Sequence, residues 1–295
     1  MKQALHLLLV LTGGVLSAVE QQQYPPTPAA TPSDTELMRI TRDNHSRLLI
    51  VTAMVANTPM RMILDTGATH TFLHKGSVAK IKKGIYKLDT SLMKFEGNVN
   101  QRPEIIVGNI LAGPALAPQH PIMVVDLESV RSMMGEEIDG IIGMDILGGL
   151  PFTFDLKNGV YYWGAPEGEA AIPLRGKRDQ GGRLIVQATC LGRNIPMLLD
   201  TGSAVTRVNA RDWAPGGGKE IAVQLGNVNS TQQQRMVEGA AGDVEIAEGV
   251  ILKGITPLLD EPGHSVLLGL DALKDCILIH LPMKNSRYGQ FYIAR

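Results

Sequence analysis

Two stretches of this chain are near-copies of one another, and that repetition constrains the fold more than any other feature. "RLLIVTAMVANTPMRMILDTGATHTF" runs from Arg47 to Phe72, and "RLIVQATCLGRNIPMLLDTGSAVTRV" runs from Arg183 to Val208. Met62-Ile63-Leu64-Asp65-Thr66-Gly67 answers Met197-Leu198-Leu199-Asp200-Thr201-Gly202, so the two Asp residues stand 200 − 65 = 135 positions apart. A second pair follows in the same order: Ile141-Ile142-Gly143-Met144-Asp145 and Leu267-Leu268-Gly269-Leu270-Asp271. The interval from Asp to Gly is 143 − 65 = 78 residues in the first half and 269 − 200 = 69 in the second. Self-similarity of this kind predicts two units of one design, each carrying one Asp-Thr-Gly.

Both units read as strands. "RLLIVTAMV" and "RLIVQATCL" are rich in β-formers, and turns are expected at Ala56-Asn57 and Gly192-Arg193 before "MRMIL" and "IPMLL". "FTFDLKNGVYYW" predicts a hairpin turning at Asn158-Gly159, and "CILIHLPMKNSRYGQFYIA" a looser one turning near Asn285 to Gly289. Short helices are expected at "LESVRSMM" and after Gly143 and Gly269, where Asp145 and Asp271 are placed to cap a turn. With 32 Gly and 17 Pro, the 295 residues point to an all-β, turn-rich chain.

The N-terminus opens on Lys2, continues apolar from Ala4 to Leu16 and ends in small residues at Ser17-Ala18, the pattern of a signal peptide over 1–18. An uncleaved membrane anchor is the competing reading, although the run is short for a span. Residues 19–46 are rich in Gln, Pro and Thr and read as a tether or a pro-segment. The lobes then fall at 47–164 and 183–295, with 165–182 as connector. The expectation is an exported protein, periplasmic or secreted, with no stable membrane insertion after removal of the leader.

Composition excludes some functions. A net charge of −1, with Lys and Arg spread along the chain, argues against nucleic acid as a partner. Cys190 and Cys276 lie in apolar runs; one bridge or two buried thiols both fit. Neither has a second ligand at zinc-like spacing. His70 and His74, four apart, suit a metal pair only on a helix, and a strand is expected there. No metal or cofactor is expected.

The chemistry lies in the pairing. A single exposed Asp is ionised at neutral pH and is a weak base. Two carboxylates about 3 Å apart cannot both ionise cheaply, so they share one proton. One then acts as base toward water while the other donates a proton to a carbonyl oxygen. Gly67 and Gly202 leave room for backbone N–H groups beside the carboxylates, and Thr66 and Thr201 can hydrogen-bond across the axis between the loops.

With these motifs the chain resembles the retropepsin-like and pepsin-like aspartic proteases, over roughly residues 47–163 and 183–295. The resemblance implies an all-β, bilobal acid-protease fold: two retropepsin-like halves related by a pseudo-two-fold axis, with hinged hairpin flaps over an extended peptide. It implies Asp65 and Asp200 as the catalytic pair, supported by Thr66, Gly67, Ala68, Thr201, Gly202 and Ser203. It also implies an endopeptidase acting on peptide or protein substrates, monomeric because each half supplies what a homodimeric relative takes from its partner.

The halves differ in detail. Ser203 stands where the first half has Ala68, and a hydroxyl donated to the Asp200 carboxylate would make Asp200 the anionic member. A flap tip is expected at Phe95, Gly97 and Asn98 of "FEGNVN", with either "LGNVNS" (225–230) or the segment holding Gly239 as its counterpart. Leu88-Asp89-Thr90 lacks the Gly and the preceding apolar strand and reads as a surface loop; "LLDEPG" (258–263) is set aside likewise. The alternative function is a catalytically weak or inactive peptide-binding or regulatory protein on the same fold.

Overall fold

The computed structural model describes residues 39–89, 104–166, 171–227, 230–284 and 288–295. The leader at 1–18, most of the 19–46 segment and the first expected flap tip lie outside them.

The protein is mostly β and bilobal. In the first lobe, Leu49–Val55 and Thr58–Leu64 form a hairpin whose two-residue turn is Ala56-Asn57. Both turn residues have positive φ, 47° and 64°, the conformation that matches the twist of paired strands. The second-lobe hairpin, Leu184–Cys190 with Arg193–Leu199, turns at Leu191-Gly192, one residue before the expected Gly192-Arg193. Cys190 still pairs with Arg193, which leaves Gly192 (φ 77°) in the turn itself.

The strands that carry the Asp residues gain a second neighbour. Ile63 and Leu64 pair in parallel with Ile141 and Ile142, and Leu198 and Leu199 with Leu267 and Leu268. On the far side of each Gly-bearing strand lies the strand that leaves the Asp loop: Phe72 pairs with Ile141, and Arg207 with Leu267. Each apolar-apolar-Gly strand is thus wedged between the two arms of an Asp-Thr-Gly loop. Buried on both faces, it is apolar throughout. Leu49–Val55 also pairs with Glu104–Ala112, which turns the first-lobe sheet back on itself.

A third sheet ties the halves together. The hairpin Phe152–Asp155 with Val160–Trp163 pairs with Ile277–Leu281, which pairs with Gln290–Ala294 and then with Ile172–Pro173. Phe152, Phe154, His280 and Phe291 stack inside it. His280 is buried there with Nδ1 2.7 Å from the Leu150 carbonyl, and burial pushes it down to about 4. The connector is used as well: Gly176–Arg178 adds a strand beside Leu184–Cys190.

Glu128–Met134 is the expected helix, closed by Gly135 at φ 65°. After Gly143 a single turn, Met144–Leu147, forms; after Gly269 the chain makes turns and no regular helix. Cys190 and Cys276 are free, buried thiols. Among the described residues, no helix is long and apolar enough to cross a membrane.

Candidate active site

Asp65 and Asp200 follow directly on the strands Thr58–Leu64 and Arg193–Leu199. Their backbone N–H groups donate to the Ile142 and Leu268 carbonyls at 3.0 and 3.1 Å, so each Asp is registered against its Gly-bearing strand. Gly143 and Gly269 then pass against the loop backbone. A Cβ at Gly143 would lie 2.4 Å from the His70 carbonyl oxygen, and one at Gly269 2.5 Å from that of Val205. No side chain fits there, which is why both motifs end in Gly. The next N–H groups, of Met144 and Leu270, donate to the Ala68 and Ser203 carbonyls.

The two loops hold each other through their threonines. The Thr66 N–H donates to Thr201 Oγ1 at 3.0 Å, and the Thr201 N–H donates to Thr66 Oγ1 at 3.1 Å. Each hydroxyl also donates across the interface, Thr66 to the Leu199 carbonyl and Thr201 to the Leu64 carbonyl, both at 2.8 Å. All four bonds are buried and reciprocal, so the position of one Asp fixes that of the other.

The carboxylates face one another. A Cβ on Gly67 would lie 2.5 Å from Asp200 Cγ, and one on Gly202 2.3 Å from Asp65 Cγ. Asp65 and Asp200 are 1% and 2% exposed. Asp65 Oδ1 accepts from the Gly67 and Ala68 N–H groups at 2.7 and 2.9 Å; Asp200 Oδ1 accepts from Gly202 N–H at 2.9 Å. Asp65 Oδ2 is buried and no N–H or hydroxyl donates to it.

Burial pushes both carboxyls above the ordinary range. For Asp200 the Asp65 charge adds to burial in raising it. Asp65 is restrained by the Gly67 N–H, the hydrogen bond from Asp200, the Ala68 N–H and the Arg183 charge. The second backbone N–H on its carboxylate favours the anion on Asp65. Ser203 does not make the contact on which the expected asymmetry rested. The Ser203 hydroxyl donates to the Val205 carbonyl at 2.7 Å, a local bond to the backbone two residues on, and does not reach the carboxylate.

Several participants were not singled out by the sequence reading. Arg183 donates from its guanidinium to the Gly67 carbonyl at 3.2 Å and is steadied by Asp179, 2.6 Å from its Nε. It opens the second repeat as Arg47 opens the first, yet Arg47 is exposed at φ 67°. Thr71 and Thr206, each six residues after its Asp, donate to Asp145 and Asp271 at 2.8 and 2.6 Å. That spacing was a readable signal. Asp145 is thus no helix cap. Its carboxylate also accepts from the Thr71 N–H and meets His120 Nε2 at 2.9 Å, and a buried charge so well served has no call on solvent. Asp271 takes the Ala272 N–H as well.

His70 Nδ1 lies 2.7 Å from Thr69 Oγ1, and His74 Nδ1 accepts the Leu127 N–H at the head of the helix. Among the described residues no group of three or more His, Cys, Asp or Glu is arranged for a metal. Phe95, Gly97 and Asn98 lie outside the described residues. In the second lobe a long hairpin, Gly217–Asn227 with Ser230–Gly239, pairs out to Asn227 and Ser230, the last described residues on either side of 228–229 in "LGNVNS". Gly239 pairs with Gly217 and sits at the base, against Trp213. The hairpin packs on the Glu128–Met134 helix of the first lobe and so reaches across from one lobe to the other.

Residues 51–146 match the family model described as aspartyl protease. That span holds the first Asp-Thr-Gly, Thr71 and the Gly143 strand, and the match supports an aspartic protease assignment. A search of curated proteins found no match.

Proposed function

We propose that the protein is an exported, single-chain aspartic endopeptidase that hydrolyses peptide bonds with a water held between Asp65 and Asp200. The observation that carries this reading is the buried carboxylate pair, held face to face by the reciprocal threonine bonds and biased toward one protonation state. Asp65 takes a proton from the water as its oxygen attacks the scissile carbonyl carbon, and Asp200 gives its proton to the carbonyl oxygen. In the tetrahedral intermediate Asp65 then protonates the departing amine, and Asp200 takes back a proton as the new carboxyl forms. Thr66, Gly67, Ala68, Thr201, Gly202 and Ser203 position the pair. Arg183 belongs with them.

The long second-lobe hairpin is the candidate flap, because it reaches from one lobe to the other. Residues 1–18 are the proposed leader, and the mature chain is a proposed monomer, since both carboxylates come from one chain. The test is cleavage of unstructured peptides by protein lacking residues 1–18, with block by a hydroxyl-bearing transition-state mimic. Asp65→Asn and Asp200→Asn should each abolish turnover with the fold intact. Peptide binding without turnover in the unmutated protein would favour the peptide-binding alternative.

A further inference from the structure

The turn that enters the second lobe grips the first Asp loop, and its first-lobe counterpart has no such grip. "RDQGGRL" (178–184) answers "RDNHSRL" (42–48), each leading into the first strand of its hairpin, so Asp179 corresponds to Asp43 and Arg183 to Arg47. The Asp179 carboxylate accepts from the Arg183 N–H at 2.9 Å and from its Nε at 2.6 Å. The Gly182 N–H closes the turn on the Asp179 carbonyl at 3.0 Å. Held in this way, Arg183 donates from Nη1 to the Gly67 carbonyl at 3.2 Å.

Asp43 is engaged differently. Ser46 stands where the second turn has Gly182, and the Asp43 carboxylate accepts from the Ser46 hydroxyl at 2.6 Å, from the Ser46 N–H and from the His45 N–H at 3.0 Å. Arg47 is exposed. The glycines of the second turn also let it lie close. A Cβ on Gly181 would run into the Thr69 side chain, and one on Gly182 into the Tyr288 ring.

The Gly67 carbonyl and the Ala68 N–H belong to one planar peptide unit. A donor on that carbonyl fixes the direction of the N–H and polarises it. The Ala68 N–H lies 2.9 Å from Asp65 Oδ1. In the second loop the equivalent N–H, of Ser203, bonds the Asp200 main-chain carbonyl at 3.3 Å, and the Asp200 carboxylate accepts from Gly202. The loop with the guanidinium is thus the loop with the second N–H on its carboxylate.

We propose, resting on the endopeptidase reading above, that Asp179 is a positioning residue for catalysis: it holds Arg183 on the Gly67 carbonyl and so aims the Ala68 N–H at the Asp65 carboxylate. Asp200 and Arg183 are the charged groups that bear on Asp65. Around the turn stand Arg178, which donates to the Gly182 and Gly289 carbonyls, Tyr288, which donates to the Gln180 carbonyl at 2.8 Å, and His70, beside Thr69.

The test is the pH dependence of kcat/KM together with titration of the Asp carboxyls by carboxyl-carbon NMR in the same proteins. Asp179→Asn separates charge from positioning by sign. If Arg183 acted through its charge alone, removing the neighbouring anion would strengthen the positive field at the pair and move the acidic limb to lower pH. With Asp179 as the positioning residue, the loosened guanidinium leaves the Gly67 carbonyl, the Ala68 N–H no longer favours the Asp65 anion, and the limb moves to higher pH by about 1 unit. The lower titration of the pair should move with it. Arg183→Lys, which keeps the charge and lacks the planar fork, should shift both in the same direction. In an Arg183→Met background Asp179→Asn should add no upward shift. Loss of folded protein lowers the rate without moving the limb. A limb that stays in place or moves to lower pH in Asp179→Asn overturns the positioning role, as does an equal upward shift in the Arg183→Met background. If the unmutated protein cuts no peptide, the peptidase reading fails, and the carboxyl titration decides the role of Asp179 by the same signs.

Discussion

The charge conflict in the carboxylate pair should be measurable as stability. Asp65 is raised from 3.8 to about 6, a shift of about 2 units, first by burial and against the restraint of the Gly67 N–H. At 1.36 kcal/mol per unit this is about 3 kcal/mol of preference for the protonated form in the folded state. The folded value lies above the unfolded one, so the associated stability is present in full below pH 3.8 and is lost as pH rises through about 6. Asp65→Asn removes the ionisation and keeps an oxygen to accept the Gly67 and Ala68 N–H groups. The variant should therefore melt with wild type near pH 4 and above it at pH 8. For a chain of this size ~3 kcal/mol corresponds to roughly 6–12 °C. The assay is thermal unfolding of both proteins across pH 4 to 8, with the difference in Tm plotted against pH. A difference that does not change with pH, or a variant that melts below wild type at pH 8, refutes the assignment of a strained, proton-sharing pair.

Four further outcomes follow from the same geometry. Ser203→Ala should leave the acidic limb of the pH–rate profile in place, because its hydroxyl bonds the Val205 carbonyl; a shifted limb would restore a contact with Asp200. Arg183→Met removes a positive charge that lowers both carboxyls, so the acidic limb should move to higher pH. Thr201→Val strands the Thr66 N–H and the Leu64 carbonyl and should cost ~2–5 kcal/mol in denaturant unfolding, whereas Thr201→Ser should recover most of it. Gly269→Ala would place a methyl 2.5 Å from backbone, and its loss should exceed about 3 kcal/mol, read as absence of a cooperative melt.

The backbone framework was legible because repetition exposes it. Two copies of Asp-Thr-Gly and two of apolar-apolar-Gly, in one order, required two loops wedged by two strands, and the paired strands follow that order. Local chemistry was less legible. Asp145 was read as a cap from its place after Gly143, but Thr71 and His120 arrive from elements 74 and 25 residues away. Sequence adjacency could not reveal that competition, although the shared Thr six residues after each Asp was in view. "LLDEPG" was set aside as a decoy for Asp-Thr-Gly; its Asp260 is buried and paired with Arg207, a contact that only the parallel pairing of Leu258–Asp260 with Arg207–Asn209 creates. Ser203 misled for a different reason. A hydroxyl beside a carboxylate has backbone carbonyls within equal reach, and the nearer geometry won.

The differences between the halves bear on mechanism more than the likenesses do. Two identical halves would share the proton equally, and each carboxyl would serve as acid and base by turns. Here Asp65 collects two backbone N–H groups where Asp200 collects one, and Arg183 reaches the first loop while Arg47 stays exposed. The extra backbone N–H favours the anion on Asp65, whereas the Arg183 charge lowers both carboxyls. A single chain that carries both halves is free to accumulate them, because a substitution in one half is not copied into the other. The same freedom places Arg207, paired with the buried Asp260, where the first half has Phe72. Unequal surroundings of the two carboxyls imply a peptide bound in one direction. Retro-sequence versions of a good substrate should then be cut at least tenfold more slowly, and equal rates for the two directions would show that these inequalities do not reach the substrate.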